Sequence, residues 1–195
     1  MKNEKNCSIA FFDAEFTAKT AKDRGIPEII QCAFLIYRVK VSEDGDLLDI
    51  AKVPIKTYQA FVKPIYTTQL SDYIKELTGI SQQSVDDGIS FKEVIDDIYS
   101  LVQKYHIDSI VTWGHDKGML KKNFYFSDYN KKRAAEILNL FDDISFKISK
   151  MFGYEYPISQ SNMCKHLHLE ESGVHHDAYN DAVDLARIIQ AICDS

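Results

Sequence analysis

The sequence has few cysteines and no long apolar run. None of its four cysteines forms a Cys-x-x-Cys pair, which predicts reduced thiols in an intracellular protein rather than a zinc site or a disulfide framework. No apolar stretch approaches the roughly 20 residues that a membrane helix needs. The polar start, residues 1–6, predicts no signal peptide. We therefore expect a cytoplasmic protein without a membrane partner.

An excess of positive charge is also lacking. The 23 Lys and Arg residues stand against 29 Asp and Glu residues, which gives a formal net charge of -6. This balance argues against a protein that holds nucleic acid by electrostatic attraction alone. It does not exclude an enzyme that holds phosphates through metal ions, because the carboxylates that bind metals themselves count as negative charges.

The chain has no internal repeat, no low-complexity tract and no Pro/Gly-rich linker, so we expect a single domain over residues 1–195. Short apolar runs predict five strands, and helical spacing of apolar residues predicts the helices. The predicted strands are residues 7–13, 29–41, 53–62, 108–113 and 137–141, with a turn at 45–49. The predicted helices are residues 71–77, 90–102, a helix from about 117, 144–151, 159–167 and 177–193. This order indicates an α/β protein with a mixed five-stranded sheet flanked by helices.

Two acidic residues follow the apolar part of the first predicted strand. Asp13 and Glu15 are two positions apart, which places both side chains on the same face of a strand, roughly 7 Å apart along the chain. Charged side chains beside an apolar strand must be solvated, paired or bound to a metal ion. The pair therefore indicates either a solvated strand end or a metal site.

Three further residues stand at the boundaries of predicted elements. Asp181 lies beside the apolar stripe of the last helix, where a carboxylate is costly unless positive charge meets it; Asp184 is expected to face water. His176 precedes Asp181 by five residues, so we place it in a loop, either as a surface residue or near the carboxylates. Asp116 follows the fourth strand. With Asp13 and Glu15, these acids predict a two-metal site for attack on a phosphodiester, with Mg²⁺ or Mn²⁺ favoured by the oxygen ligands.

With these motifs in this order, the sequence resembles the DnaQ-like 3′–5′ exonucleases of the subgroup with four acids and a histidine (DEDDh). The first motif is the Asp-x-Glu of Asp13 and Glu15, the second contains Asp116 in Val-Thr-Trp-Gly-His-Asp, and the third is the His-x-x-x-x-Asp of His176 and Asp181. A Leu-Thr-Gly-Ile segment lies between the first two motifs. The Trp-Gly pair looks most like the KapD and ERI-type exoribonuclease branch.

The resemblance implies a ribonuclease-H-like fold and a metal-dependent enzyme that releases nucleoside 5′-monophosphates from single-stranded RNA, short oligonucleotides or DNA, with RNA favoured. Asp13, Glu15 and Asp181 would hold the first of two Mg²⁺ or Mn²⁺ ions, and Asp13 would bridge to the second. Asp116 would act through a metal-bound water. His176 would be the general base, because an imidazole that titrates near 6.5 is matched to accept a proton from the attacking water.

The resemblance also implies substrate contacts beside these motifs. Phe16 and Thr17 would lie near the terminal sugar and Ile80 against the last bases, although Phe16 and Ile80 are equally explained as core residues. A basic strip begins directly after Asp116, and we interpret it either as a surface that attracts phosphates or as a solvated helix face. The strip consists of Lys117, Lys121, Lys122, Lys131, Lys132 and Arg133.

Two alternatives stay open on the sequence. A proofreading-type DNA exonuclease shares all the motifs, because recognition of the 2′-hydroxyl depends on a few loop contacts. The same fold could also serve as a catalytically inactive interaction module. Loss of one of the four acids would favour that module, and all four are present.

Overall fold

The computed structural model describes residues 4–17 and 27–195 of the chain. Strands come first and helices dominate the second half. The strands are β1 (Lys5–Phe16), β2 (Ile29–Val41), β3 (Leu47–Ile50), β4 (Lys56–Phe61), β5 (Ile107–Thr112) and β6 (Phe141–Asp143). The helices are α1 (Asp72–Thr78), α2 (Gln82–Asp86), α3 (Phe91–Tyr105), α4 (Asp116–Phe126), α5 (Lys131–Leu140), α6 (Ser145–Met151), α7 (Gln160–His166) and α8 (Ala178–Cys193).

A mixed sheet forms the centre of the fold. Its strands follow the order β3-β2-β1-β5-β6, and β4 pairs with another part of β2. β1 is antiparallel to β2 and parallel to β5, which is in turn parallel to β6. Because β1 and β5 are parallel, their carboxyl ends lie at the same edge of the sheet. The residues that follow these two strands are therefore brought together.

Strand β1 separates two apolar cores because its side chains alternate between the two faces of the sheet. Ala10 and Phe12 belong to the core that α3, α4 and α5 cover, whereas Phe11 belongs to the core that α8 covers. Asp13 and Glu15 continue the Phe11 face at the end of the strand. The acidic pair therefore lies on the side of the sheet that carries α8.

The predicted α/β class with a mixed sheet and flanking helices is confirmed, with six strands rather than five among the described residues. The additional strand is β3, in the stretch predicted as a turn, where Ile50 pairs with Val39 of β2. The strand predicted over 137–141 is wrong for its first four residues, which end α5, and β6 begins only at Phe141. A short apolar run fits a buried segment of helix as well as a strand, and Ile137 is a buried residue of α5. Helix α2 has no counterpart among the predicted helices.

Helix α3 begins at a side-chain cap. Ser90 caps α3, and its side chain and that of Glu93 satisfy each other's backbone amides in a capping box.

All four cysteines are unbridged thiols. In the part of the chain that the structure describes, no helix combines the length and the apolar character that crossing a bilayer requires.

Candidate active site

The acidic pair at the end of β1 faces inward. Glu15 is buried at 3% exposure and Asp13 is half-buried. Glu15 stands opposite Gln31 of β2, and the register of the two strands shifts directly after it. Backbone hydrogen bonds between the two strands hold this end of β1 against β2. The solvated strand end is therefore excluded for Glu15.

Helix α8 brings a third carboxylate to the pair. Asp181 lies in its first turn and is 8% exposed. Carboxylate oxygens of Asp13, Glu15 and Asp181 all lie within 4.8 Å of one another. Asp181 thus joins two residues that precede it in the chain by 166 positions or more. Three hard oxygen donors at this spacing fit a divalent cation such as Mg²⁺ or Mn²⁺.

Asp116 approaches the same cluster from the next parallel strand. It is the first residue of α4, it is buried, and its carboxylate accepts hydrogen bonds from its own backbone amide and from that of Ala14. Ala14 lies between Asp13 and Glu15, so this bond attaches the start of α4 to the acidic pair. All four predicted acids line one cleft of about 670 Å³.

Burial raises the pKa of two of the four cleft acids. Loss of solvation, together with the nearby carboxylates of Glu15 and Asp143, raises the pKa of Asp116 to about 7. Burial likewise raises the pKa of Asp181, against an opposing effect of His175. A bound cation stabilises such crowded carboxylates, because its positive charge offsets their mutual repulsion and their loss of solvation. The donor set and its electrostatics therefore both fit a divalent metal ion.

Two neighbouring histidines lie in the loop before α8. His176 has a left-handed backbone (φ 67°), its Nδ1 lies 3.8 Å from Glu15 Oε1, and its backbone amide donates to Asp181 Oδ2 at 3.1 Å. The Nδ1 of His175 lies 3.1 Å from Asp181 Oδ1, and the two imidazole rings stack with centroids 4.0 Å apart. The predicted loop position of His176 agrees with the structure. Sequence reasoning missed His175, for which its place beside His176 was the only signal.

Two glutamines position the start of α8, and sequence reasoning missed both. Gln31 donates from Nε2 to Asp177 Oδ2 at 2.9 Å and accepts at Oε1 from the Ala178 amide at 3.1 Å. Gln160 donates to the backbone carbonyl of Asp181 at 2.6 Å. Gln31 thus links the strand position opposite Glu15 to the helix that carries Asp181. No sequence pattern reveals a contact across 146 residues.

Of the three residues predicted to contact the terminal nucleotide, Phe16 lines the cleft, and Thr17 and Ile80 are buried residues outside its lining. Phe16 lines the cleft although its ring is largely buried. Thr17 accepts the Glu28 backbone amide at Oγ1, 3.1 Å away, and its own amide donates to the Glu28 carbonyl. Ile80 packs in a separate apolar cluster with residues such as Ile30. Their roles in binding substrate stay predictions.

The basic strip does not form one surface. Lys117 donates from Nζ to the carbonyl of Phe141 at 3.1 Å, whereas Lys122 lines the cleft. Arg133 pairs with Asp96 at 3.1 Å and lies over the ring of Tyr99. Lys122 is therefore better placed than Lys117 to meet a substrate phosphate. The substrate contact predicted for Lys117 stays a prediction.

Asp184 corrects one expectation from the sequence. The sequence predicts that it faces water, but it is 4% exposed and accepts hydrogen bonds from the amide and the hydroxyl of Ser172 and from Arg187. The chain before the histidine loop folds over α8 and covers this carboxylate. Asp184 therefore holds that segment in place, one helical turn away from Asp181.

The raised carboxyl pKa values predict that the metal-free protein gains stability on acidification. The unfolded pKa of Asp116 is near 3.8 and the folded value is about 7, so the folded state binds more protons between these pH values. The free energy of unfolding therefore falls as pH rises from about 4 to about 7. Thermal unfolding in EDTA should give a melting temperature that is higher at pH 5 than at pH 8.

Asp116→Asn provides the control for this effect. The amide cannot ionise, so the variant should melt at a higher temperature than the unaltered protein at pH 8, and its melting temperature should depend less on pH. At pH 8 the free energy of unfolding of Asp116→Asn should exceed that of the unaltered protein by a few kcal/mol. The scale is on the order of 1.4 kcal/mol for each tenfold difference in the proton affinity of Asp116 between the folded and unfolded states. Equal pH dependence of the two proteins would show that Asp116 is ionised in the folded state throughout.

A family described as exonuclease, of the RNase T type, matches residues 10–189. The probable 3′–5′ exonuclease KapD of Bacillus subtilis is 24% identical over 189 residues, which cover 95% of this chain and 84% of KapD. The 3′–5′ exonuclease eri1 of Schizosaccharomyces pombe is 25% identical over 199 residues, which cover 85% of this chain and 61% of eri1.

A solved structure shows the same fold. The nuclease domain of 3′hExo, a DEDDh family member bound to rAMP, superimposes with a TM-score of 0.75 at 22% identity, over 96% of this chain and 92% of that domain. The predicted ribonuclease-H-like fold is thereby confirmed. This likeness concerns the fold, and the roles of individual residues are argued from their own contacts.

Proposed function

The chain belongs to the exonuclease family, in its DEDDh branch with KapD and the ERI-type 3′–5′ exonucleases, and from this premise we propose its substrate, cofactors and residue roles. It is a 3′–5′ exonuclease of nucleic acid. We propose that it shortens single-stranded RNA or short oligonucleotides and releases nucleoside 5′-monophosphates. Two divalent metal ions and a histidine general base would carry out the reaction.

One observation supports this proposal above the others. Asp13, Glu15 and Asp181 place carboxylate oxygens within 4.8 Å of one another in a cleft that Asp116 also lines. An inactive interaction module has no need of such a cluster, because burying like charges together costs stability. The cluster therefore favours an enzyme over the inactive module.

The four acids would bind two metal ions. Asp13, Glu15 and Asp181 would hold one ion; Asp13 would also contact the second, toward which Asp116 would act through a bound water. Bound Mg²⁺ or Mn²⁺ supplies positive charge that polarises the phosphodiester and lowers the pKa of water. The protein's own contribution is to fix the carboxylates: α4 is held at Ala14, and α8 is held through Gln31 and Gln160.

His176 is suited to accept the proton of the attacking water. Its Nδ1 faces Glu15 at 3.8 Å, so we assign the transferred proton to the other ring nitrogen, Nε2. The carboxylate of Glu15 stabilises the imidazolium that forms. The left-handed backbone at His176 and its amide bond to Asp181 fix the loop from which the ring projects. A general base positioned in this way contributes roughly 10²- to 10⁴-fold to the rate.

RNA is the favoured substrate because of what the relatives bind. The 3′hExo nuclease domain was solved with rAMP, a ribonucleoside monophosphate, and another 3′-exonuclease similar to this chain was solved recognising a histone mRNA stem-loop. A DNA exonuclease of the proofreading type is the alternative. The two share the metal site and differ in how they meet the 2′-hydroxyl.

A labelled single strand tests the proposal. A 5′-labelled RNA incubated with Mn²⁺ should give a ladder that shortens from the 3′ end, with nucleoside 5′-monophosphates as the other product. Internal cuts would instead identify an endonuclease. DNA of the same sequence, assayed in parallel, separates the two substrate classes: faster cleavage of DNA would contradict the RNA preference while leaving the exonuclease intact.

Three lysines of the basic strip test its electrostatic role. Replacing Lys121, Lys122 and Lys132 with Ala should reduce the dependence of substrate KM on salt, by a log–log slope of about 0.7 for each lysine that contacts a phosphate. The matched control replaces three exposed lysines elsewhere, Lys104, Lys147 and Lys150. An unchanged slope in the first variant would assign the strip to solvation alone.

A further inference from the structure

Two aromatic side chains, Tyr66 and Phe126, lie together beyond the end of the cleft. Their ring centroids are 6.1 Å apart with planes at 67°, and the Tyr66 hydroxyl donates to the Phe126 carbonyl at 3.2 Å. Tyr66 is 57% exposed, so its ring is not part of the core. Tyr66 and Phe126 together form the aromatic pair.

Helix α4 connects the cleft to the aromatic pair. Met119 and Lys122 of this helix line the cleft. Phe126 follows Lys122 by four residues and Met119 by seven, and these spacings place the three side chains on one face of a helix. At 1.5 Å for each residue, Phe126 lies about 10 Å along the helix from Met119. The aromatic pair therefore continues the wall of the cleft away from the four acids.

A buried carboxylate holds the loop that carries Tyr66. Glu28 accepts the backbone amides of three successive residues, Ile65 at 2.6 Å, Tyr66 at 2.9 Å and Thr67 at 2.6 Å. Burying a carboxylate is costly unless it is hydrogen-bonded, and these three bonds compensate for the lost water. The backbone of Glu28 is in turn bonded to Thr17 at the end of β1. The exposed ring is thus fixed relative to the catalytic strand.

We propose that the aromatic pair stacks on bases of the substrate strand upstream of the scissile phosphate. This inference rests on the proposed function, because an exonuclease leaves only one nucleotide beyond the scissile bond and the rest of the strand must leave the cleft. Along α4 the strand would meet Lys122, whose charge suits a phosphate, and then the two rings. Stacking on aromatic rings is tolerant of sequence, which suits an enzyme that removes every nucleotide in turn.

The charge and exposure of neighbouring residues favour nucleic acid as the occupant. Lys122 is exposed one helical turn before Phe126, and Lys121 is exposed one turn before Tyr125. Tyr125 is itself 82% exposed, and its ring centroid lies 5.6 Å from that of Phe126. Aromatic rings interleaved with lysines are typical of surfaces that bind single strands. The partner is therefore a flexible single strand with accessible bases.

Substrates of different length test the inference. For Tyr66→Ala, we expect KM for a 12-nucleotide RNA to rise about tenfold with kcat unchanged, because one stacked base is lost. KM for a dinucleotide, which has a single upstream base, should change much less. If the unaltered protein cleaves neither RNA, the proposed function fails. If it cleaves both, and the KM values of Tyr66→Ala equal those of the unaltered protein, only this inference fails.

Two further variants exclude a purely structural effect. Tyr66→Phe removes the hydroxyl bond to Phe126 but keeps the ring, and it should retain the unaltered KM for the long substrate. Phe146→Ala removes an exposed ring from α6, a helix outside the aromatic pair, and should leave both KM values unchanged. A rise in KM for Tyr66→Phe equal to that for Tyr66→Ala would overturn the stacking role. So would the same rise for Phe146→Ala.

A Trp at position 66 gives a readout that does not depend on turnover. In EDTA, the fluorescence of Tyr66→Trp should be quenched by a 12-nucleotide RNA more strongly than that of the unaltered protein, whose one tryptophan is Trp113. Stacked bases quench an indole that they contact. Identical quenching curves for the two proteins would contradict base stacking at this position.

Discussion

Asp13→Ala is expected to abolish turnover while the protein stays folded. The side chain belongs to the carboxylate cluster and, in the proposed mechanism, meets both metal ions. Its removal should lower kcat by about 10³-fold or more, because metal ions contribute several kcal/mol to stabilising the transition state. The metal-free protein should not lose stability, since one of several crowded negative charges is removed.

The matched control for Asp13→Ala is Asp184→Asn. Asp184 is also a buried acid, but it accepts hydrogen bonds from Ser172 and Arg187. Its substitution should lower the free energy of unfolding by about 1–3 kcal/mol and leave kcat near the unaltered value. Circular dichroism melting in EDTA and the ladder assay in Mn²⁺ measure the two effects. An Asp13→Ala protein that is folded and fully active would refute the two-metal mechanism.

His176→Ala is expected to lower kcat by about 10²-fold or more at saturating metal, the range for a lost general base. The unaltered enzyme should gain rate as pH rises through the titration of an imidazole, ordinarily near 6.5. In His176→Ala that rise should be much smaller, because the imidazole that faces Glu15 is gone and the remaining one, His175, contacts Asp181 instead. Initial rates between pH 5 and 8.5, at saturating Mn²⁺, measure both effects.

His175→Ala distinguishes a general base from a residue that positions a metal ligand. His175 contacts Asp181 at 3.1 Å, so its loss should raise the Mn²⁺ concentration needed for half-maximal rate by about tenfold. Excess Mn²⁺ should restore most of the rate of this variant and none of the rate of His176→Ala. If excess Mn²⁺ restored His176→Ala instead, the roles assigned to the two histidines would have to be exchanged.

Part of the cluster could be predicted from the sequence, because local geometry places the acidic pair. Two-residue spacing on a strand puts Asp13 and Glu15 on one face, whatever the strand pairs with. The parallel order of β1 and β5 then brings Asp116 to the same edge. The separation of five positions between His176 and Asp181 excludes a shared helical face, which indicates a loop. The two spacing arguments use only backbone periodicity, whereas the pairing of β1 with β5 belongs to the tertiary structure.

Other features could not be predicted because they depend on contacts between distant segments. Nothing near Asp184 in the sequence indicates that Ser172 covers it. Lys117 lies on α4 between Asp116 and Gly118, which line the cleft, but its Nζ donates to the carbonyl of Phe141 in β6. Residues 137–140 are apolar enough for a strand, but the preceding polar residues and the cap at Asn130 make them the end of a helix.

The sequence by itself determined the fold class, the order of the motifs and the identity of the acids, because strand alternation and helix caps are local properties of the chain. Only the tertiary structure decided which side chains share the cleft. It brought His175, Gln160 and Lys122 to the acids, enclosed Ile80 and Asp184, and set Tyr66 beside Phe126. The physical reason is that burial and hydrogen bonding between residues far apart in the chain depend on how helices pack on the sheet, which no short spacing encodes.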